Sequence, residues 1–406
     1  MKDFKTQLKE RFIRYTEFDT MSDPSQVGIK RPTTDGQAVL LKALKEEAEA
    51  LGLDVYLGKE SVVKVLLKGN TDAPTIGFMA HVDTADDVMG NGVKAQLLNY
   101  QGGDIVLPHL TIKREENKAL SRYIGSEIIT SDGSTLLGSD DKAGIAIIFT
   151  AMEYLLAHPE IKHGDVEFYF TPDEETGAGM DQFPYDKSEA KAIYTVDGGD
   201  ESEVEAECFN AASVNLEIEG VSIHLGSARG ILVNALKIAS AIAMALPQSE
   251  SPEATDERFG YYHVSDINGT HVKATETIII RDFDNDSFFN RIKIVEDLAK
   301  TITATYKGQV KINTSISYRN MGAVNKEQPK AVDAIFISGK KLGLDFSSSL
   351  IRGGTDGARF AEAKGVPAPN LFTGGHNLHS LSEWVSVDAM NNSTNLVLEI
   401  INTWAN

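Results

Sequence analysis

Two histidines and several carboxylates stand at the ends of apolar runs, and those residue types suit a divalent metal ion. The run Val166-Glu167-Phe168-Tyr169-Phe170 leads into Thr171-Pro172-Asp173-Glu174-Glu175-Thr176-Gly177. Pro172 cannot continue a sheet ladder, so a strand is predicted to stop there with three carboxylates just beyond it. Like charges this close repel, and cations among them relieve the repulsion. The plain alternative is a solvated acidic loop. A second run, Ile76-Gly77-Phe78-Met79-Ala80, ends in His81-Val82-Asp83. On an extended segment, residues two apart point the same way. A ligating imidazole needs a partner on its other nitrogen; a structural histidine is the alternative. A third run, Ala192-Ile193-Tyr194-Thr195-Val196, ends in Asp197-Gly198-Gly199. Gly138-Ser139-Asp140-Asp141-Lys142 opens an apolar helix, where paired Asp is either a cap or a cation ligand. Near the C-terminus comes Gly374-Gly375-His376-Asn377-Leu378-His379.

Imidazole and carboxylate without thiolate suit zinc, cobalt or manganese. His81, Asp140, Glu175, Asp197 and His379 would hold two ions with a carboxylate shared between them. Ions about 3.5–4 Å apart clamp attacking and leaving oxygens and generate hydroxide near neutral pH. Glu174, beside a ligand, is then free to act as a base and to return the proton to a leaving amine. The set points to hydrolysis, of amides ahead of phosphate esters.

These residues lie far apart in the chain, so the fold must bring them together. In open α/β sheets, ligands bind beyond the carboxyl ends of the strands, which is where His81, Glu174, Glu175 and Asp197 fall. Phe4, Leu8 and Phe12 mark an N-terminal amphipathic helix, and residues 37–51 a second, stopped by Gly52. Residues 84–130 read as an elaborated loop region. The pattern changes near Asn210: Ala212-Ser213-Val214-Asn215-Leu216-Glu217-Ile218 alternates as a half-exposed strand does. A helix over 230–246, a hairpin turning at Asn268-Gly269, a helix over 286–306 and a strand over 310–318 follow. Residues 330–342 and 387–404 read as helices and 368–372 as a strand. The expected fold is α/β: a catalytic domain with a central mixed, mainly parallel sheet flanked by helices, plus an inserted α+β domain with an antiparallel sheet. The boundaries are 1–208 and 326–406 for the discontinuous catalytic domain, and 209–325 for the inserted lid or substrate-binding domain.

A chain of 406 residues fits more than one domain. With 39 Lys and Arg against 59 Asp and Glu, the net charge of −20 disfavours nucleic acid and anionic membranes. No run approaches the ~18 apolar residues of a membrane span, and the charged N-terminus lacks an apolar signal core. A single cysteine, Cys208, excludes an internal disulfide and fits the cytoplasm.

Nearly end to end, the chain resembles the co-catalytic dizinc metallopeptidases of the aminoacylase/carnosinase type. The carriers are His81-Val82-Asp83, Ser139-Asp140-Asp141-Lys142, Asp173-Glu174-Glu175, Val196-Asp197-Gly198-Gly199 and Asn377-Leu378-His379, in that order. Within that superfamily, Phe209-Asn210-Ala211-Ala212, Ile280-Arg281-Asp282-Phe283-Asp284 and Phe372-Thr373-Gly374-Gly375-His376-Asn377 look most like the tripeptide aminopeptidases. The resemblance implies two zinc ions per chain, with cobalt or manganese as alternatives. Asp140, which stands two residues before the lysine of its motif, would bridge them. His81 and Asp197 would bind one ion, and Glu175 and His379 the other. Asp83 would orient the first site. A metal-bridging water would be the nucleophile and Glu174 its general base. His224 matches a histidine that donates to the oxyanion, although Leu225 stands where proline is usual. To reach it, the inserted domain would close about hinges near Asn210 and Met321-Gly322, or a homodimer partner would lend its own. Arg281 and Arg352 are candidate grips for the substrate carboxylate; the alternative is a salt bridge to Asp282, Asp284 or Asp356. Short peptides are the implied partners. A dipeptidase, carboxypeptidase or N-deacylase of the same superfamily is the nearest alternative, and a two-metal phosphoesterase another. An inactive binding or scaffold relative would have no need of Glu174.

Overall fold

In the computed structural model, which describes residues 1–406, two of the apolar runs form the strands Ile76–His81 and Val166–Thr171, buried at every position. An apolar run without alternation is what a strand covered on both faces requires. The two strands pair in parallel, with Ile76 opposite Val166 and His81 opposite Thr171. Ile193–Gly198 joins Ile76–His81 in parallel, and Asn370–Phe372 joins Ile193–Gly198 likewise. This parallel block forms the centre of an eight-stranded sheet. Val63–Leu67 and Asp54–Leu57 continue it antiparallel on one side, and Glu203–Cys208 on the other. The mixed sheet with a parallel centre is the expected architecture.

The period of two sorts its side chains. Phe168 and Phe170 face the same way, Phe170 stacking on Phe149 (5.1 Å between centroids) and Phe168 on Phe78 (6.0 Å). Tyr169, between them, points to the other face and meets Phe183, which meets Phe360. Phe149 belongs to the helix Ser139–Ala157 and Phe360 to the helix Asp356–Lys364, so helices cover both faces. Ser139–Ala157 is apolar nearly all round and packs against Lys5–Thr16 and Val387–Ala405 as well as the sheet. Truncating a fully buried ring such as Phe170 to Ala would cost about 3–5 kcal/mol.

The expected loop region over 84–130 is partly built. Gln96–Asn99 pairs with Glu127–Thr130, which pairs with Trp384–Ser386. Ile105–Val106 pairs with Thr111–Ile112. Strands of two to four residues are too short to display a period in the sequence.

The chain divides into two compact units: Met1–Ala206, Met321–Ser349 and Thr355–Asn406 form the first, and Glu207–Asn320 with Leu350–Gly354 the second. Residues 321–325 thus group with the first unit. Leu350–Gly354 returns to the second, which the expected boundaries did not include.

The second unit is a four-stranded antiparallel sheet in the order Tyr261–Gly269, Lys273–Asp282, Asn210–Glu219, Gln309–Tyr318. Val214, Leu216 and Ile218 alternate into a core with Ile238, Ile242, Phe288 and Val295 of the helices Ala235–Ala245 and Asn285–Thr305. The hairpin turn lies beyond the expected Asn268-Gly269. Its strands stay paired through Gly269, and the Thr270 N–H donates to Lys273 O (2.7 Å). The tip is anchored there because the carbonyls of His271 and Val272 accept the N–H groups of Ala235 (3.0 Å) and Gly220 (2.7 Å). No helix of either unit is long and apolar enough to cross a membrane.

Candidate metal centre

Three of the parallel strands deliver their functional residues at one end of the first unit's sheet. His81 is the last residue of Ile76–His81, Glu174 and Glu175 follow Val166–Thr171, and Asp197 is the penultimate residue of Ile193–Gly198. Asp140 comes from the start of the helix Ser139–Ala157, and His379 from the loop after Gly375–His376. The structure gathers them into two groups, His81–Asp140–Asp197 and Asp140–Glu175–His379, each with its ligand atoms within 4.8 Å of one another. Asp140 belongs to both. Its Oδ1 lies 2.8 Å from His81 Nε2 and its Oδ2 3.3 Å from His379 Nε2. Asp197 Oδ1 is 3.5 Å from His81 Nε2, and Glu175 Oε1 is 3.1 Å from His379 Nε2. Asp141 turns away and accepts the backbone N–H groups of His81 (3.2 Å) and Gly144 (3.1 Å).

The electrostatics ask for positive charge. Burial, then the charge of Asp140, pushes Asp197 up to about 7, and the same two causes push Glu175 up to about 7. Burial also raises Glu174 well above the usual carboxylate range. Burial alone would lower His81, but Asp197, Asp140 and Asp83 override it and hold it well above its ordinary value. Contacts to Asp140 and Glu175 push His379 up to about 11. The imidazoles thus keep protons where a metal would bring charge, and a metal would displace those protons. Glu175 Oε1 and His81 Nδ1 are buried without an aligned hydrogen-bond partner. A divalent cation in each group fits this oxygen and nitrogen donor set.

Residues 133–403 match the sequence profile of Peptidase family M20/M25/M40. The peptidase T of Clostridium novyi (strain NT) is 42% identical over 403 residues, covering 97% of this chain and 98% of that protein. The chain belongs to peptidase family M20/M25/M40. Its fold is that of the family. The crystal structure of the aminopeptidase PepT from Bacillus cereus superposes with a TM-score of 0.79 at 22% identity, covering 99% of both chains. A tripeptidase from Staphylococcus aureus superposes with a TM-score of 0.77 at 21% identity, covering 99% of this chain and 98% of that one.

In this M20-family peptidase, Asp83 is fully buried and ties the two groups together. It accepts the N–H groups of Glu174 (3.0 Å) and Glu175 (3.1 Å) and lies 3.3 Å from His81 Nδ1. Sequence reasoning missed two further carboxylates. Glu383, 1% exposed, accepts from the N–H groups of Leu137, Gly138 and Ser139 and from the Ser139 hydroxyl, so it shapes the turn that carries Asp140. Asp87 Oδ2 lies 3.1 Å from His379 Nδ1. Only the general rule that a ligating imidazole has a partner on its second nitrogen could have suggested Asp87. Nothing local marks Glu383. His376 stands outside both groups, stacked on Trp384 at 4.1 Å, and burial lowers it to about 4.

The remaining candidates lie in the second unit. His224 is exposed, and its Nδ1 accepts the N–H of Gly226 (3.2 Å). In the neutral ring, that bond leaves the proton on Nε2. Arg281 gives one N–H to the Tyr318 hydroxyl and lies over that ring. Arg352 is committed more fully: it donates to the carbonyls of Glu257 (2.8 Å), Phe259 (3.1 Å) and Thr255 (3.2 Å) and to the Thr255 hydroxyl. The alternative salt bridges are not formed as expected. Asp282 pairs with Arg291 (2.6 Å), Asp284 caps the helix Asn285–Thr305, and Asp356 accepts the Thr171 hydroxyl.

Proposed function

We propose that this peptidase removes the N-terminal residue of tripeptides in a metal-dependent hydrolysis. The observation that carries the reading is the membership of Asp140 in both ligand groups, with Glu174 beside Glu175 on the adjoining turn. His81 and Asp197 would hold one ion, Glu175 and His379 the other, with Asp140 between them. Zinc is the first expectation, two per chain, with cobalt or manganese as alternatives. When bound, such ions supply Lewis-acid polarisation of the scissile carbonyl and acidify water.

The chain's own groups do the rest. Glu174 takes the proton of the attacking water as the new C–O bond forms, and returns it to the amine nitrogen as the C–N bond breaks. Asp83 keeps that carboxylate in place through the backbone of the turn. His224 would donate Nε2–H to the oxyanion in an arrangement that brings it over the carboxylates, of its own chain or of a homodimer partner. Arg281 is the better grip for the substrate's terminal carboxylate, because Arg352 already serves backbone carbonyls. The tripeptide as substrate is supported by the tripeptidase likeness and by the peptidase T relative. A reducing, cytoplasmic setting fits the lone buried Cys208.

A panel of di-, tri- and tetrapeptides, with N-acetylated tripeptides, tests the reading on metal-reconstituted protein. Release of the first residue from free tripeptides is expected. Preferred release of the C-terminal residue, or faster cleavage of the N-acetylated series, would assign the site to a carboxypeptidase or a deacylase.

A further inference from the structure

The turn that carries Glu174 and Glu175 begins with Asp173 in the left-handed region, at φ +61°. Few residues with a side chain adopt that conformation, although Asp tolerates it better than most. It reverses the chain after Pro172 and so sets where the next two side chains start. Buried side chains from the N-terminal segment hold it there. Gln37, wholly buried, accepts the Asp173 N–H on Oε1 (3.0 Å) and donates Nε2–H to Asp173 Oδ1 (2.9 Å). Thr33 donates both its N–H (2.9 Å) and its hydroxyl (2.6 Å) to the same oxygen. Arg31 fastens the far end of the turn by donating to Ala178 O (2.8 Å) and Gly179 O (2.7 Å). From the opposite side, Asp83 accepts the N–H groups of Glu174 and Glu175. Neither Gln37 nor Thr33 belongs to a ligand group.

We propose that Gln37 and Thr33 are positioning residues for the general base: by holding Asp173 in its left-handed turn, they aim the Glu174 carboxylate at the water it deprotonates. The proposal rests on the reading of Glu174 as the base. Without these donors, Asp173 relaxes toward negative φ and Glu174 shifts, and a displacement of about 1 Å near the chemistry can lower turnover roughly 10²-fold. Glu174 and Glu175 both keep their backbone bonds to Asp83, so the ligand groups survive and the change is confined to the direction of the Glu174 side chain. Substrate binding and metal loading are untouched, and the loss falls on kcat alone.

The test compares Thr33→Val, Thr33→Ser, Gln37→Met, Glu174→Gln and the Thr33→Val/Glu174→Gln double variant. Each is measured for kcat and KM on a tripeptide, for metal content and for Tm. Thr33→Val and Gln37→Met are expected to lower kcat on the order of 10²-fold with KM and metal content unchanged. Thr33→Ser, which restores the hydroxyl, should recover wild-type kcat. In the Glu174→Gln background, Thr33→Val should add no further loss, because the group it positions is gone. Wild-type kcat in Thr33→Val overturns the proposal. So does a loss that tracks metal content, or one that repeats in full in the Glu174→Gln background. If Gln37→Met fails to fold, the Thr33 pair decides, since it exchanges one hydroxyl for one methyl. Wild-type turnover of Glu174→Gln would instead remove the reading of Glu174 as base, which separates the two failures.

Discussion

The two units hold their functional side chains by opposite means. In the first, His81 ends a strand buried at every position, and Asp83, Asp173 and Glu383 each collect several backbone or side-chain donors. In the second, His224 lies in an exposed loop with one bond to Gly226, and Arg281 commits one N–H to Tyr318. In the proposed reading, the groups around the ions sit at the ends of buried strands or the start of a buried helix, except His379, which comes from an exposed loop. The groups proposed to meet a substrate, His224 and Arg281, make few bonds of their own, the ordinary division between scaffold and recognition loop.

The contrast is broken or sharpened most strongly at Glu174. Glu174→Gln keeps the shape of the side chain and removes the base. Turnover should fall about 10²–10⁴-fold while elemental analysis finds the metal retained. Loss of metal with little kinetic effect at saturating metal would make Glu174 a ligand. In the second unit, His224→Ala should lower kcat roughly 10²–10³-fold, with Tm and metal content unchanged. Wild-type turnover with both ions bound would return His224 to an exposed loop without catalytic duty.

The arginines sharpen the division within the second unit. Arg281→Lys should weaken use of a free tripeptide by about tenfold relative to its C-terminal amide, the scale of one charge-assisted bond. Arg352→Lys should lower Tm and affect both substrates alike, because it loosens the carbonyls of residues 255–259. The reverse pattern in steady-state kinetics would exchange their roles.

The smallest expected effect is on stability. Glu276, 1% exposed in the second unit's core, has both carboxylate oxygens without a hydrogen-bond partner, and burial pushes it from 4.5 up to about 8. The folded state holds that proton more tightly than the unfolded chain. Its contribution is therefore full below about pH 4.5 and is lost as pH rises toward 8. Glu276→Gln should raise the Tm of the second unit's transition at pH 8 and leave it unchanged at pH 4. An equal shift at both pH values in thermal unfolding would contradict this.

What was legible in the sequence follows from the same contrast. Local pattern marks the strand ends, helix start and Gly-rich loop where His81, Asp140, Glu175, Asp197 and His379 stand, and the family resemblance chose Asp140 over its neighbour Asp141. The major helices could be placed for the same reason: residues expected over 286–306 form Asn285–Thr305, and those over 387–404 form Val387–Ala405. Glu383, Gln37, Thr33 and Asp87 were not legible. Glu383 serves residues more than two hundred positions away, and Gln37 serves one 136 positions away, and no local periodicity records such a partnership. The hairpin was placed too early because Asn-Gly is a strong turn signal on its own. The structure overrides it with anchoring bonds from Ala235 and Gly220. Arg352 was read with the catalytic stretch that follows it, yet Leu350–Gly354 packs with the second unit.

The central claim is that Asp140 joins two metal positions into one hydrolytic centre. It is tested most directly by measuring metal content and tripeptide hydrolysis on the same sample before and after exhaustive chelation. Two transition-metal ions per chain are expected, with activity lost on their removal and restored by added zinc. Undiminished hydrolysis by a sample in which no metal can be detected would contradict it.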